Sequence, residues 1–231
     1  MIFSGESQII RRMVNMKNTF RKHFIISIAL LVAFTLWTAA ICFIDVRLIG
    51  PDETSVGFAA VNSYFHSLTG VNFTLYTITD WLGLVPVFTG FGFGVLGLLQ
   101  WIRRKKLLKV DYSIRILGLF YIAVTAAYFF FEEFVINYRP VLINGCTEAS
   151  YPSSTTLLVL CVMSTAIIQF NDRIKNHLLR NFLIFITAVF IAFMVLGRLI
   201  CGVHWLTDII GGALLSAGLV MMYYSFYKSK E

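Results

Sequence analysis

The chain has 231 residues, 58% hydrophobic and 13% charged, with a net charge of +7. Soluble globular domains carry about 25% charged residues, so this composition excludes a soluble enzyme or binding module and indicates a one-domain integral membrane protein. The cations are grouped between apolar runs, which makes them a topology signal rather than a nucleic-acid footprint.

Residues 1–23 hold Arg11, Arg12, Lys17, Arg21 and Lys22 and read as a basic cytoplasmic N-terminus. The apolar run 24–44 follows. It exceeds the roughly 7–15 apolar residues of a signal peptide and lacks a clear small-residue cleavage site, so it is expected to remain as a first span. The stretch 45–80 is too polar to cross a bilayer and is expected to lie as short amphipathic pieces on the outer surface. Further apolar runs at 81–101, 114–136, 154–170, 181–199 and 204–224 complete a set of six. Each is close to the roughly 20 residues that a bilayer core requires of a helix, and helices satisfy their own backbone groups in lipid. The expectation is an all-α, six-span bundle over residues 24–227, with 228–231 as a cytoplasmic tail.

Of the 19 Lys and Arg residues, 16 fall before the first run, in the second–third and fourth–fifth connections, or after the sixth run. The positive-inside rule makes that side cytoplasmic and places both termini there. Arg47, Arg139 and Arg198 remain on the other side. Arg47 reads as an interfacial cation near Asp45. Arg139 and Arg198 can snorkel to headgroups, but their neighbours suggest more.

Arg139 lies in "NYRP" at the end of the third run, and "YPSSTT", residues 151–156, opens the fourth. "GRLICGVHWLTD", residues 197–208, joins the fifth to the sixth. All three stretches fall on one membrane face and can converge. His204 and Asp208 are four apart at a helix start, hence on one face. The Asp can accept from one imidazole nitrogen, fix the tautomer and leave the other nitrogen as a nucleophile. Arg139 and Arg198 can clamp phosphate through their planar forks. Ser153, Ser154 and the N–H groups opening the fourth span suit the same anion. Together these residues describe a phosphoryl-transfer site.

The arrangement resembles the type 2 phosphatidic acid phosphatase family of integral membrane lipid phosphatases. That family's signature has three parts: Lys, six residues, Arg-Pro; then Pro-Ser-Gly-His; then Ser-Arg, five residues, His, three residues, Asp. Arg139-Pro140, Pro152-Ser153 and the set Arg198, His204, Asp208 match it in order and spacing. The resemblance implies a six-helix bundle with an outward-facing, metal-independent site that needs no cofactor. In such a site His204 forms a phosphohistidine, Asp208 orients it, and Arg139, Arg198 and Ser153 hold phosphate. The implied partners are a lipid phosphate or diphosphate and the surrounding membrane lipids; the interior-positive pattern and the lack of organelle signals fit a bacterial plasma membrane.

Three positions depart from the signature: Glu132 replaces its Lys, Thr155 its second-motif His and Gly197 its Ser. Threonine does not protonate a leaving oxygen near neutral pH, and a positioned acid contributes about 10²–10⁴-fold. A polyprenyl or other lipid diphosphate, whose leaving group is already a stable anion, is therefore the expected substrate. His66, Glu132 and Glu133 are candidate substitute acids; the blander readings are a surface or packing histidine and an ion pair of Glu132 with Arg139. Cys146 and Cys201 fall on outer connections and can pair in an oxidising exterior. The small residues of "FTGFGFGVLGLLQ", 88–100, and Gly211-Gly212 read as helix-packing positions. A catalytically impaired lipid-phosphate binder on the same fold is the alternative to an enzyme. A lipid transporter is disfavoured because charges do not lie deep in several spans.

Overall fold

The computed structural model describes residues 2–229, with side chains from Asn18 onward. Arg11, Arg12, Lys17 and Lys230, counted above, have side chains outside that description. Helix α1 spans Ile2–Phe43. It leads into a two-stranded hairpin of β1, Arg47–Leu48, and β2, Ser55–Val56. Helices α2, Ala59–Thr69, and α3, Phe73–Leu82, follow, and α3 passes through Gly83 into α4, Leu84–Arg104. Next come α5, Tyr112–Glu133, and α6, Ser154–Leu158, which continues through a π-helical turn at Val159–Met163 into α7, Ser164–Arg173. Helices α8, His177–Ile200, and α9, Leu206–Lys228, complete the chain.

Six helical stretches among the described residues are long and apolar enough to cross a membrane: Asn18–Phe43, Phe73–Arg104, Tyr112–Glu133, Ser154–Arg173, His177–Ile200 and Leu206–Lys228. The second begins at Phe73 rather than near residue 81, because α3 and α4 are separated only by Gly83. The protein is thus a multi-pass membrane protein with an all-α bundle. Large apolar side chains such as Leu36, Phe88, Phe91, Leu119 and Phe185 stand exposed on it, as expected where lipid takes the place of water.

With lipid as solvent, close approach and hydrogen bonds hold helices together more than apolar burial does. The pair α1 and α9 illustrates this. A Cβ at Gly218 would meet Leu31 Cδ2 at 2.7 Å, so the glycine lets the backbones approach, and Ser27 Oγ donates to the Gly218 carbonyl at 2.8 Å. Phe34, Leu117, Phe120, Tyr151, Leu157 and Leu215 fill the space between α1, α5, α6 and α9. The glycine run of α4 behaves differently from its packing expectation. Gly97 comes close to Ile114, but a Cβ at Gly92 or Gly94 would meet nothing within 4 Å. Between α4 and α5 an apolar cavity of about 540 Å³ remains, lined by residues that include Gly94, Gly97, Trp101, Leu117 and Gly118. Gly211 and Gly212 do serve packing: the first faces the Tyr151 ring and the second faces Ser153 O and Thr156.

The helix ends away from the hairpin are tied by polar contacts. Asp111 meets Arg104 at 2.7 Å and Arg173 at 3.3 Å. Arg173 also donates to Ser113 Oγ and Gln169 Oε1, and Gln169 donates to the Tyr223 hydroxyl. At the hairpin end, Asn62 of α2 donates to Thr207 Oγ1 at 3.0 Å and fixes α2 to the start of α9. Arg47 pairs with Asp45 at 2.7 Å, as its sequence neighbourhood suggests.

Candidate active site

The connection from α5 to α6 is itself a small hairpin, and it places two of the site residues. Asn144 and Gly145 both have positive φ, 51° and 79°, the backbone of a two-residue turn that an Asn-Gly pair favours. Ile143 pairs with Cys146 and Tyr138 with Ala149 across the two limbs. Arg139 N–H donates to Glu148 O, and Ser150 N–H donates to Asn137 O. Arg139 therefore sits on one limb and Ser150 on the other. Trp205 Nε1 donates to Tyr138 O at 2.8 Å and joins this hairpin to the α8–α9 connection.

His204 lies in that connection, and Asp208 follows in the first turn of α9. Both are buried. The direct contact inferred from their spacing is replaced by a relay. His204 Nδ1 is 3.9 Å from Asp208 Oδ2, and Ser150 Oγ stands between them, 3.0 Å from Nδ1 and 2.5 Å from Oδ2. The i,i+4 spacing puts the residues on one face but does not bring the ring to the carboxylate, because Asp208 Oδ2 accepts the Trp205 N–H at 2.9 Å as a helix cap. Asn137 Nδ2 donates to the other oxygen at 3.3 Å. A hydroxyl has one hydrogen to give. Ser150 donates it to Asp208 and so accepts from His204 Nδ1–H. The remaining nitrogen, Nε2, accepts from Arg139 Nη1 at 3.3 Å and carries the lone pair a nucleophile requires. Burial, reinforced by the charges of Arg139 and Arg198, pushes the His204 pKa well below its ordinary value and keeps the ring neutral.

Arg198, near the end of α8, is buried. Its Nη2 donates to Thr155 Oγ1 at 2.6 Å and to Asp80 Oδ1 at 2.8 Å. Its Nε and Nη1 make no hydrogen bond among the described residues. A buried guanidinium with two unused nitrogens is costly unless a ligand completes it, and the planar pair suits two phosphate oxygens. The second arginine, Arg139, forms an ion pair with Glu148 at 3.1 Å. Both guanidiniums approach the Tyr76 ring, Arg198 at 4.9 Å and Arg139 at 5.8 Å from its centroid.

The remaining sequence candidates divide. Ser153 is buried as the cap of α6, accepting from Thr156 N–H and Thr156 Oγ1, and its own N–H donates to Asp208 O. Thr155 reaches the site through Arg198. Ser154 and Glu132 line a small cleft with Ser150 and Pro152, and Glu148 rather than Glu132 is the carboxylate on Arg139. The His66 ring lies 5.6 Å from that of Trp205, and His66 makes no hydrogen bond to His204 or either arginine among the described residues. All four cysteines are free; Cys201 is buried and directs its thiol at Arg198 O, which removes it from Cys146.

Sequence reasoning missed Ser150, Tyr76 and Asp80. Tyr76 and Asp80 are four apart on α3, so both face the arginines. Gly197 explains how α3 reaches them. A Cβ there would meet Thr79 Cγ2 at 2.8 Å, so the glycine that departs from the signature is where α3 rests on α8. No group of three or more His, Cys, Asp or Glu residues able to hold a metal occurs among the described residues.

The PAP2 superfamily model matches residues 22–231, and the chain belongs to that family. Among solved structures, it is similar to a transmembrane PAP2-type phosphatidylglycerolphosphate phosphatase from Bacillus subtilis, at 17% identity and a TM-score of 0.57. The match covers 86% of this chain and 93% of that one, and it establishes the shared fold. No curated protein matches the sequence. Family and fold together support a membrane lipid phosphatase.

Proposed function

We propose that the protein removes a phosphate from a lipid phosphate or diphosphate through a phosphohistidine on His204, at a site on the extracytoplasmic side of the plasma membrane. The observation that carries this reading is the buried His204 imidazole, held between the Ser150 hydroxyl at Nδ1 and Arg139 at Nε2. When phosphate enters, its oxygens take up the unused nitrogens of Arg198 and draw Arg139 from Nε2. Ser153, which caps α6 and donates its N–H to Asp208 O, fixes the head of that helix beside the site. Nε2 then attacks phosphorus, the bond to the leaving oxygen breaks, and the two arginines balance the charge on the transferring group. Asp208, acting through Ser150, stabilises the ring as it becomes cationic.

Thr155 offers a hydroxyl where the family signature has an imidazole. Losing a general acid costs about 10²–10⁴-fold, roughly 3–5 kcal/mol, when the leaving group is a lipid alkoxide. It costs little when that group is a phosphate, so the favoured substrate is a polyprenyl or other lipid diphosphate. The test compares phosphate release by the purified protein from a polyprenyl diphosphate and from phosphatidic acid, beside Thr155→His. The expected result is a diphosphate preference that narrows in Thr155→His. Equal or faster turnover of phosphatidic acid by the unsubstituted protein would contradict the leaving-group argument. Silence on both substrates, with activity gained in Thr155→His, would favour a lipid-phosphate binder.

A further inference from the structure

A phosphohistidine enzyme needs a second step, in which water removes the phosphate, and water is a weak nucleophile without a base. Thr155 cannot serve. The geometry points to Asp80: we propose that its carboxylate is the general base that activates water against the phosphohistidine. This inference rests on the phosphatase reading above.

The placement follows from three contacts. Asp80 Oδ1 lies 2.8 Å from Arg198 Nη2, and that same nitrogen lies 2.6 Å from Thr155 Oγ1. Asp80 thus shares a guanidinium nitrogen with the residue standing where the signature carries its histidine. The α3 end is also in reach of that residue, since a Cβ at Gly83 would lie 3.7 Å from Thr155 Cγ2. Both arginines approach the Tyr76 ring; His204 touches Arg139 and Asp80 touches Arg198. A phosphate bridging the two arginines would meet the histidine beside Arg139 and the carboxylate beside Arg198, and the proposed step sets the two on opposite sides of phosphorus, as in-line displacement requires. The Asp80 side chain is 58% exposed while Arg198 is 2% exposed, so the carboxylate is open on the side where the proposed step places water, and the buried fork is kept for phosphate.

The step balances. Water oxygen forms a bond to phosphorus, and the bond from phosphorus to His204 Nε2 breaks, its electron pair returning to the ring. The water proton goes to Asp80, which releases it to solvent, and inorganic phosphate departs. In the first step, with a diphosphate, no proton donor is required of Asp80.

The test is rapid-quench kinetics on a polyprenyl diphosphate, with the acid-labile phosphoenzyme followed directly, for the unsubstituted protein, Asp80→Asn, Asp80→Glu and His204→Ala. Asp80→Asn should release one equivalent of lipid monophosphate per enzyme in a burst. It should then turn over about 10²–10⁴-fold more slowly, the usual worth of a general base, while phosphoenzyme accumulates. Asp80→Glu should recover part of the steady rate, and adding Thr155→His to Asp80→Asn should restore it by another base. Unchanged turnover in Asp80→Asn, or loss of burst and turnover together, would overturn the assignment of Asp80 alone. Product release with no phosphoenzyme in any variant, and with His204→Ala still active, would instead remove the phosphohistidine reading on which it rests.

Discussion

Removing the Ser150 hydroxyl leaves His204 Nδ1–H without its acceptor and Asp208 Oδ2 without one of its donors. Each such loss in a buried site costs about 1–3 kcal/mol. Ser150→Ala should therefore lower kcat by roughly ten- to a hundredfold with little change in KM, and the imidazole ¹⁵N shifts should show mixed tautomers. Retention of both rate and a single Nδ1–H tautomer would show that the relay is dispensable. The same ring sets the pH dependence. Its pKa is pushed down by burial and by Arg139 and Arg198, and the nucleophile is the neutral form, present above that pKa. The acid limb due to His204 should therefore lie below the roughly 6.5 of a free imidazole, and Arg139→Gln should move it upward. An NMR titration of His204 with a midpoint at or above the free value would contradict this.

Among the elements, α3 rests on one of the departures from the family signature, Gly197 of α8. Gly197 accommodates Thr79 Cγ2, which a Cβ would meet at 2.8 Å. Gly197→Val should cost about 1–3 kcal/mol of stability through overpacking and displace Tyr76 and Asp80 from the arginines. Thr79→Ser, which removes the clashing methyl, should recover much of that loss in thermal unfolding in detergent. If the double variant is as unstable as Gly197→Val alone, the contact is not the cause. The opposite end of the bundle depends on Asp111, whose pKa is lowered although burial raises it, because Arg104, Gln100 and Arg173 hydrogen-bond its charged form. A depressed carboxylate pKa contributes stability above the unfolded value of about 3.9, lost as pH falls through the folded value. The side chain is 34% exposed, so Asp111→Asn should cost only about 1 kcal/mol at neutral pH, a cost that disappears once pH falls below the lowered folded-state value. What the sequence made legible follows the same division. His204, Arg139 and Arg198 stand out because cations and an Asp-spaced histidine are conspicuous at apolar helix ends. Ser150 was hidden among five nearby hydroxyls, and Asp80 at the edge of a span read as starting after it. The Asn144-Gly145 pair was a usable signal for the hairpin that sets Ser150 opposite Arg139, and it went unread.

At the scale of the whole molecule, hydropathy alone gave six spans because lipid demands helices of a minimum length, and the described helices keep that number. Convergence of three connections at one end came from chain order and needed no knowledge of packing. What hydropathy could not supply was depth and contact, namely the early start of the second span at Phe73 and the open space beside the α4 glycines. The site-bearing end includes exposed Cys42 and Cys146. If that end faces outward, as the cation distribution argues, Cys146 in a Cys42→Ser background should react with a membrane-impermeant maleimide on intact cells. Labelling only after lysis would invert the topology.

The central claim is that His204 performs covalent chemistry on a lipid phosphate. It is tested most directly by phosphate release from a polyprenyl diphosphate by the purified protein beside His204→Ala, with the phosphorylated residue mapped by mass spectrometry after quenching. The account predicts release that His204→Ala abolishes and an acid-labile phosphate on His204 itself. Undiminished release by His204→Ala, or a phosphate carried on another residue, would contradict it.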